Sequence, residues 1–97
     1  VVYKKMKLLP HSTIVVNKDV VSCDLVDEAA ILNLKTGIYY GLDPVGARIW
    51  KLIQTPRQLN EILETLLNEY EVEKDRCQED LIELLIQLSE KELVNIN

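Results

Sequence analysis

The hydrophobic period of this chain changes once and does not change back. Up to Leu42 the apolar residues alternate or gather in short β-branched runs. From Asp43-Pro44 onward they recur every three to four residues. Strands first and helices afterwards describe an α+β domain, with helices gathered on one side of an antiparallel sheet. The chain has 97 residues, 47% of them apolar, enough for one such domain with one modest core. No apolar run reaches the roughly 18 residues of a membrane span. Val1 to Leu9 carries Lys4, Lys5 and Lys7 without the apolar stretch of a secretory signal, so a cytoplasmic location is expected.

Three strands are predicted. Val20–Leu25 and Ala29–Leu34 flank a polar Asp27-Glu28 turn, and Ile38–Leu42 follows the short loop Lys35-Thr36-Gly37. Gly37 suits the left-handed position that closes such a hairpin loop. Alternation puts Ile38, Tyr40 and Leu42 on one face of the third strand and Tyr39 and Gly41 on the other. It does not tell which tyrosine faces the core. Residues 1–19 read as an N-terminal arm or an extra strand, Thr13-Ile14-Val15-Val16 being the β-branched candidate. Residues 20–97 form the domain proper.

Asp43 is a good N-cap and Pro44 a good first helical residue. Val45, Ile49, Leu52 and Ile53 then recur at helical spacing, with Trp50 beside them. Thr55-Pro56-Arg57-Gln58 repeats the signal, and predicts a second helix starting at Pro56 with Thr55 and Gln58 as its capping box. Its stripe is Leu59, Ile62, Leu63, Leu66, Leu67 and Tyr70. A third helix runs from about Asp75 to about Glu92. The fold class is therefore α+β and winged helix-turn-helix-like, a three-stranded antiparallel sheet followed by three helices.

The third helix is apolar over a wider arc than one neighbour requires. With Leu81 at the origin and about 100° per residue, Cys77, Leu84, Leu85 and Leu88 cluster around it. Ile82, Ile86 and Leu93 fall to one side, near about 100°, 140° and 120°. Clamping between two neighbours explains such an arc, and so does a groove that takes another chain. The third strand favours the groove: Ile38-Tyr39-Tyr40-Gly41-Leu42 has no charge and no Pro to block an open edge, and Gly41 leaves room for a second backbone. An open edge also admits a second copy, which would give a homodimer.

Catalytic chemistry is hard to assemble from these residues. His11 is the only histidine, and no Gly-x-Ser-x-Gly surrounds any serine. The three glycines, Gly37, Gly41 and Gly46, do not make a phosphate loop. Cys23 and Cys77 lie far apart and read as reduced thiols, giving neither a disulfide framework nor a metal motif. No catalytic residue, metal or cofactor is expected. A winged-helix shape suggests DNA, but residues 55–97 carry eleven Asp/Glu against four Lys/Arg, and such a surface repels phosphates. Nucleic acid and membrane are therefore not expected partners, and a winged-helix DNA reader is the weaker alternative.

The segment Ala30-Ile31-Leu32-Asn33-Leu34-Lys35-Thr36-Gly37-Ile38-Tyr39-Tyr40-Gly41-Leu42-Asp43-Pro44-Val45-Gly46-Ala47-Arg48-Ile49-Trp50 resembles the PqqD-like family. The likeness continues through Glu69-Tyr70-Glu71-Val72 and Asp80-Leu81 and covers about Val20 to Val94. One departure is Glu92, where the family often has Gly. The resemblance implies a recognition element for ribosomally made precursor peptides, most like the stand-alone leader-binding proteins of lasso peptide pathways. It implies that a leader segment adds as a strand along Ile38, Tyr39, Tyr40, Gly41 and Leu42. It would pack on Cys77, Leu81, Ile82, Leu85 and Ile86 of the third helix. The partners so implied are the precursor peptide, a leader peptidase and an asparagine-synthetase-like cyclase. The alternative within the family is the peptide carrier of pyrroloquinoline quinone biosynthesis.

Overall fold

The computed structural model describes residues 8–97. Val1 to Lys7, with the three early lysines, lie outside the described residues. The chain runs β1 (Thr13–Val16), β2 (Val20–Leu25), β3 (Glu28–Asn33), β4 (Tyr39–Leu42), α1 (Pro44–Leu52), β5 (Arg57–Gln58), α2 (Leu59–Glu69), α3 (Lys74–Glu90) and β6 (Val94–Ile96). The α+β, winged-helix-like order expected from the sequence is present, with β2-β3-β4 as its antiparallel sheet.

A second small sheet, β5-β1-β6, was not anticipated. It laces the N-terminal region to the chain's last residues: Ile14 stands opposite both Arg57 and Ile96, and is fully buried. Thr13–Val16 is thus an extra strand, and part of the folded unit. This pairing also moves the start of the second helix. Arg57-Gln58 is drawn into the sheet, so α2 begins at Leu59 and not at Pro56. The Thr55-Pro56 signal is overridden because the free amides of Leu59 and Asn60 find the carbonyls of Ser12 and Pro10, at 2.9 and 3.0 Å. The capping side chain is Glu61, which accepts from the Gln58 amide at 2.9 Å.

The core lies between the inner face of β3 and the helices. Ile31, Ile49, Trp50, Ile62, Leu66, Leu81, Leu85 and Leu88 are all buried there. At α1, Asp43 caps as expected, its carboxylate accepting from the Gly46 amide at 2.8 Å. Gly46 is needed for a close approach: a Cβ there would sit 3.1 Å from Leu42 Cδ2. Gly37 adopts a φ of 77°, as its hairpin position requires.

Asn33 ties the β3–β4 hairpin to the end of α3. Its amide donates to the Glu92 carbonyl at 2.8 Å, and its oxygen accepts from the amides of Lys35 and Thr36. Asn17 donates to the same carbonyl at 3.1 Å. Glu92 itself has a φ of 58°, a left-handed conformation that costs a side-chain-bearing residue about 1–2 kcal/mol. This is the position where the resembled family often has Gly. Glu92→Gly is expected to stabilise the fold by about 0.5–1 kcal/mol, read as a higher urea midpoint with an unchanged slope.

Candidate functional site

The sheet order leaves β4 at an edge, and among the described residues no strand pairs with its far side. The N-terminal strand does not fill the place, because β1 is committed to β5 and β6. The Asn33 amide donates to the Ile38 carbonyl at 2.9 Å. In an antiparallel ladder the direction of these groups alternates. Tyr40 and Leu42 therefore turn their backbone polar groups to β3, and Tyr39 and Gly41 turn theirs to the open side. The opposite edge, β2, carries Asp24, and every residue after Val20 in it is exposed.

Beside the open edge lies a cavity of about 550 Å³, within the range of ligand-binding clefts. Its sheet wall is Tyr40, Gly41 and Leu42. Its floor is Val45 and Ile49 of α1 with Leu66 of α2. Its far wall is Cys77, Leu81 and Leu84 of α3. Tyr70 and Val72, from the α2–α3 connection, close one end and are partly exposed. Charge is confined to Asp43, Arg76 and Asp80, the last two paired at 3.5 Å. Away from Val72, the Tyr40 hydroxyl bonds Gln87 Oε1 at 2.8 Å and so holds β4 to α3. The Lys91 ammonium sits 5.8 Å from the centre of the same ring, a cation–π distance. Arg48 makes a bidentate pair with Glu69, which braces α1 against the end of α2. The hydrogen bond from Arg48 holds the Glu69 carboxyl below its ordinary pKa. Burial, with a smaller contribution from Asp80, pushes the Cys77 thiol up.

The structure separates the two tyrosines: Tyr40 lines the cavity, and Tyr39 is 68% exposed on the outer face of the sheet. Of the residues expected on the third helix, Cys77 and Leu81 line the cavity. Leu85 is fully buried and Ile82 and Ile86 are half-buried, and none of the three lines it. The cavity is on the other flank of α3 from Ile82 and Ile86, the flank of Leu84, Asp80 and Arg76. The helical arc located the apolar positions but carried no information on which flank β4 would approach. Val45, Ile49, Leu66, Tyr70, Val72 and Leu84 are the apolar lining residues outside that expectation, and Ile38 and Tyr39, expected in the site, do not line the cavity. The signal for Leu84 was in the arc itself; for Val72, in a connector, there was none.

A model of the family described as coenzyme PQQ synthesis protein D (PqqD) matches residues 28–94. Among curated proteins none matches. A solved structure of TbiB1 in complex with the TbiA(beta) leader peptide is similar, with a TM-score of 0.79 and 38% identity. The alignment covers 84% of this chain and 94% of TbiB1. The matched residues run from β3 through the open edge of β4 to the end of α3 and on into β6, and on that ground the chain belongs to the PqqD family.

Proposed function

We propose that this chain holds the leader segment of a ribosomally made precursor, of the lasso peptide class, and presents it to a leader peptidase and an asparagine-synthetase-like cyclase without performing catalysis itself. The observation that carries this reading is the open β4 edge running beside an apolar cavity. An extended peptide there would gain main-chain hydrogen bonds from Tyr39 and Gly41, while alternate side chains would enter the cavity. The peptide found on TbiB1 is itself a leader, which supports the same use here. The family description names coenzyme PQQ synthesis and so supports a second reading, in which the held peptide belongs to that pathway.

Four outward backbone groups at about 1 kcal/mol each and two or three apolar anchors at roughly 1.5–3 kcal/mol each give a gross gain of about 7–13 kcal/mol. Ordering a disordered leader removes about 2–5 kcal/mol of it. The remainder centres on about 6–7 kcal/mol, a Kd of about tens of micromolar, which suits a protein that must release its cargo.

The two thiols test the site directly. Cys23 is on the exposed outer face of β2, and Cys77 is in the cavity with its pKa raised. With iodoacetamide near neutral pH, Cys23 is expected to react faster. Saturating synthetic leader, with the TbiA(beta) leader found on TbiB1 as the first probe, should slow Cys77 at least about tenfold and leave Cys23 unchanged. Equal labelling of Cys77 with and without a leader that binds in a parallel anisotropy titration would place that leader elsewhere.

A further inference from the structure

Tyr70 is shared by two hollows. It closes one end of the apolar cavity beside β4, and it also lines a second cleft, of about 340 Å³. Both lie at the same end of the β2-β3-β4 sheet. Leu42, the last residue of β4, stands opposite Ala29, next to the β2–β3 turn. That turn gives the second cleft Asp24, Asp27 and Glu28, and α1 gives it Arg48 and Lys51.

The second cleft is charged where the first is apolar, and its charges do not cancel. The carboxylates of Asp24, Asp27 and Glu28 make no hydrogen bond or ion pair among the described residues. Arg48 is taken by Glu69 at 2.6 Å, so Lys51 is the one unpaired cation of this lining. Across Tyr70, Arg76 is taken by Asp80, and Asp43 caps α1. This end is therefore negative, in a chain of net charge −5. Repulsion among the carboxylates is a cost in the empty chain that a cationic ligand removes. Among the described residues no three acidic, His or Cys groups lie together so as to hold a metal ion. Carboxylates spread along a cleft suit long cationic side chains, whose alkyl stems can lie along Tyr70 and Ala47 while the heads reach the acids.

A strand added to β4 leads to this place. Having paired with Tyr39 and Gly41, it passes Leu42 and the cavity end at Tyr70. Two or three further extended residues carry it about 7–10 Å beyond. We infer that the bound peptide is cationic where it leaves the cavity, with Lys or Arg side chains past Tyr70 against Asp24, Asp27 and Glu28. This rests on the proposed leader-binding role and names a class of leader within it: an apolar stretch with basic residues on one flank.

The experiment uses the full chain and the labelled TbiA(beta) leader, the peptide found on TbiB1, with Lys or Glu placed at each position in turn. Anisotropy at about 50 mM salt gives a Kd for each peptide. In one run of adjacent positions, Lys should bind about fivefold or more tighter than Glu. That gap should close to within about twofold at about 0.5 M salt, and also in Asp24→Asn/Asp27→Asn/Glu28→Gln. The three positions are exposed, and Asn tolerates the φ of 63° at Asp27, so the variant keeps its fold. Glu64→Gln/Glu79→Gln/Glu90→Gln changes the net charge equally at exposed positions in neither lining, and should keep the gap. A gap within about twofold at every position overturns the inference, and so does one that survives the change of Asp24, Asp27 and Glu28 or is lost equally in the control. A set in which no peptide binds at all refutes the leader-binding role itself, and this inference with it.

Discussion

Leu81→Glu is expected to leave no folded domain, whereas Leu84→Glu, three residues on, is expected to leave a folded domain that no longer holds its peptide. Leu81 is 1% exposed, and half-buried Leu84 stands beside it on the cavity wall. Truncating a buried leucine costs about 2–5 kcal/mol, and an unpaired carboxylate in its place adds several more. A chain of this size has roughly 5–10 kcal/mol to lose. At Leu84 the new carboxylate reaches solvent through the mouth of the groove, so the fold loses only about 1–2 kcal/mol. The effect falls on the ligand. An apolar side chain entering the cavity would meet a charge, one helical turn from Asp80, and leader affinity should drop about thirtyfold or more, which is about 2 kcal/mol. Circular dichroism separates the two variants, and anisotropy with labelled leader measures the second. A Leu84→Glu chain that is folded and binds normally would remove α3 from the site.

That contrast also marks how far the sequence could be read. The Gly37 turn and the Asp43-Pro44 cap are local signals, and each appears in the structure where expected, whereas the switch from strands to helices at Asp43 is followed by two further short strands, β5 and β6. Arg57-Gln58 was misread because its partners, Thr13 and Ile14, lie more than forty residues away. No local rule carries that information. The second sheet was hidden for the same reason, since it joins the two ends of the described chain. At the site, β4 was legible as an open edge because blocking residues are visible in sequence by their absence. The groove flank was not. Ile82 and Leu84 are both apolar positions on one helix, and only the approach of β4 to Cys77 and Leu84 decides between them. The left-handed Glu92 shows the reverse case, where an odd residue in the pattern marked a real conformational demand.

Gly41→Pro is expected to abolish peptide capture while sparing the fold, and it isolates main-chain pairing from everything the side chains do. The Gly41 amide faces the open side of β4, so proline there removes no bond to β3. Proline is tolerated on an edge strand for this reason. Its ring would occupy the space through which an incoming carbonyl must approach, and the amide donor would be gone. Loss of one hydrogen bond with that steric block amounts to about 2–3 kcal/mol, or about a thirty- to 150-fold weaker Kd. Gly41→Ala is the control. A Cβ at this position meets nothing within 4 Å and stands on the outer face, so alanine should bind leader within about threefold of wild type. If proline and alanine behave alike, and both bind, the peptide does not enter as a strand of this sheet. Recognition would then rest on the cavity alone, and Leu84→Glu would retain its effect while Gly41→Pro showed none.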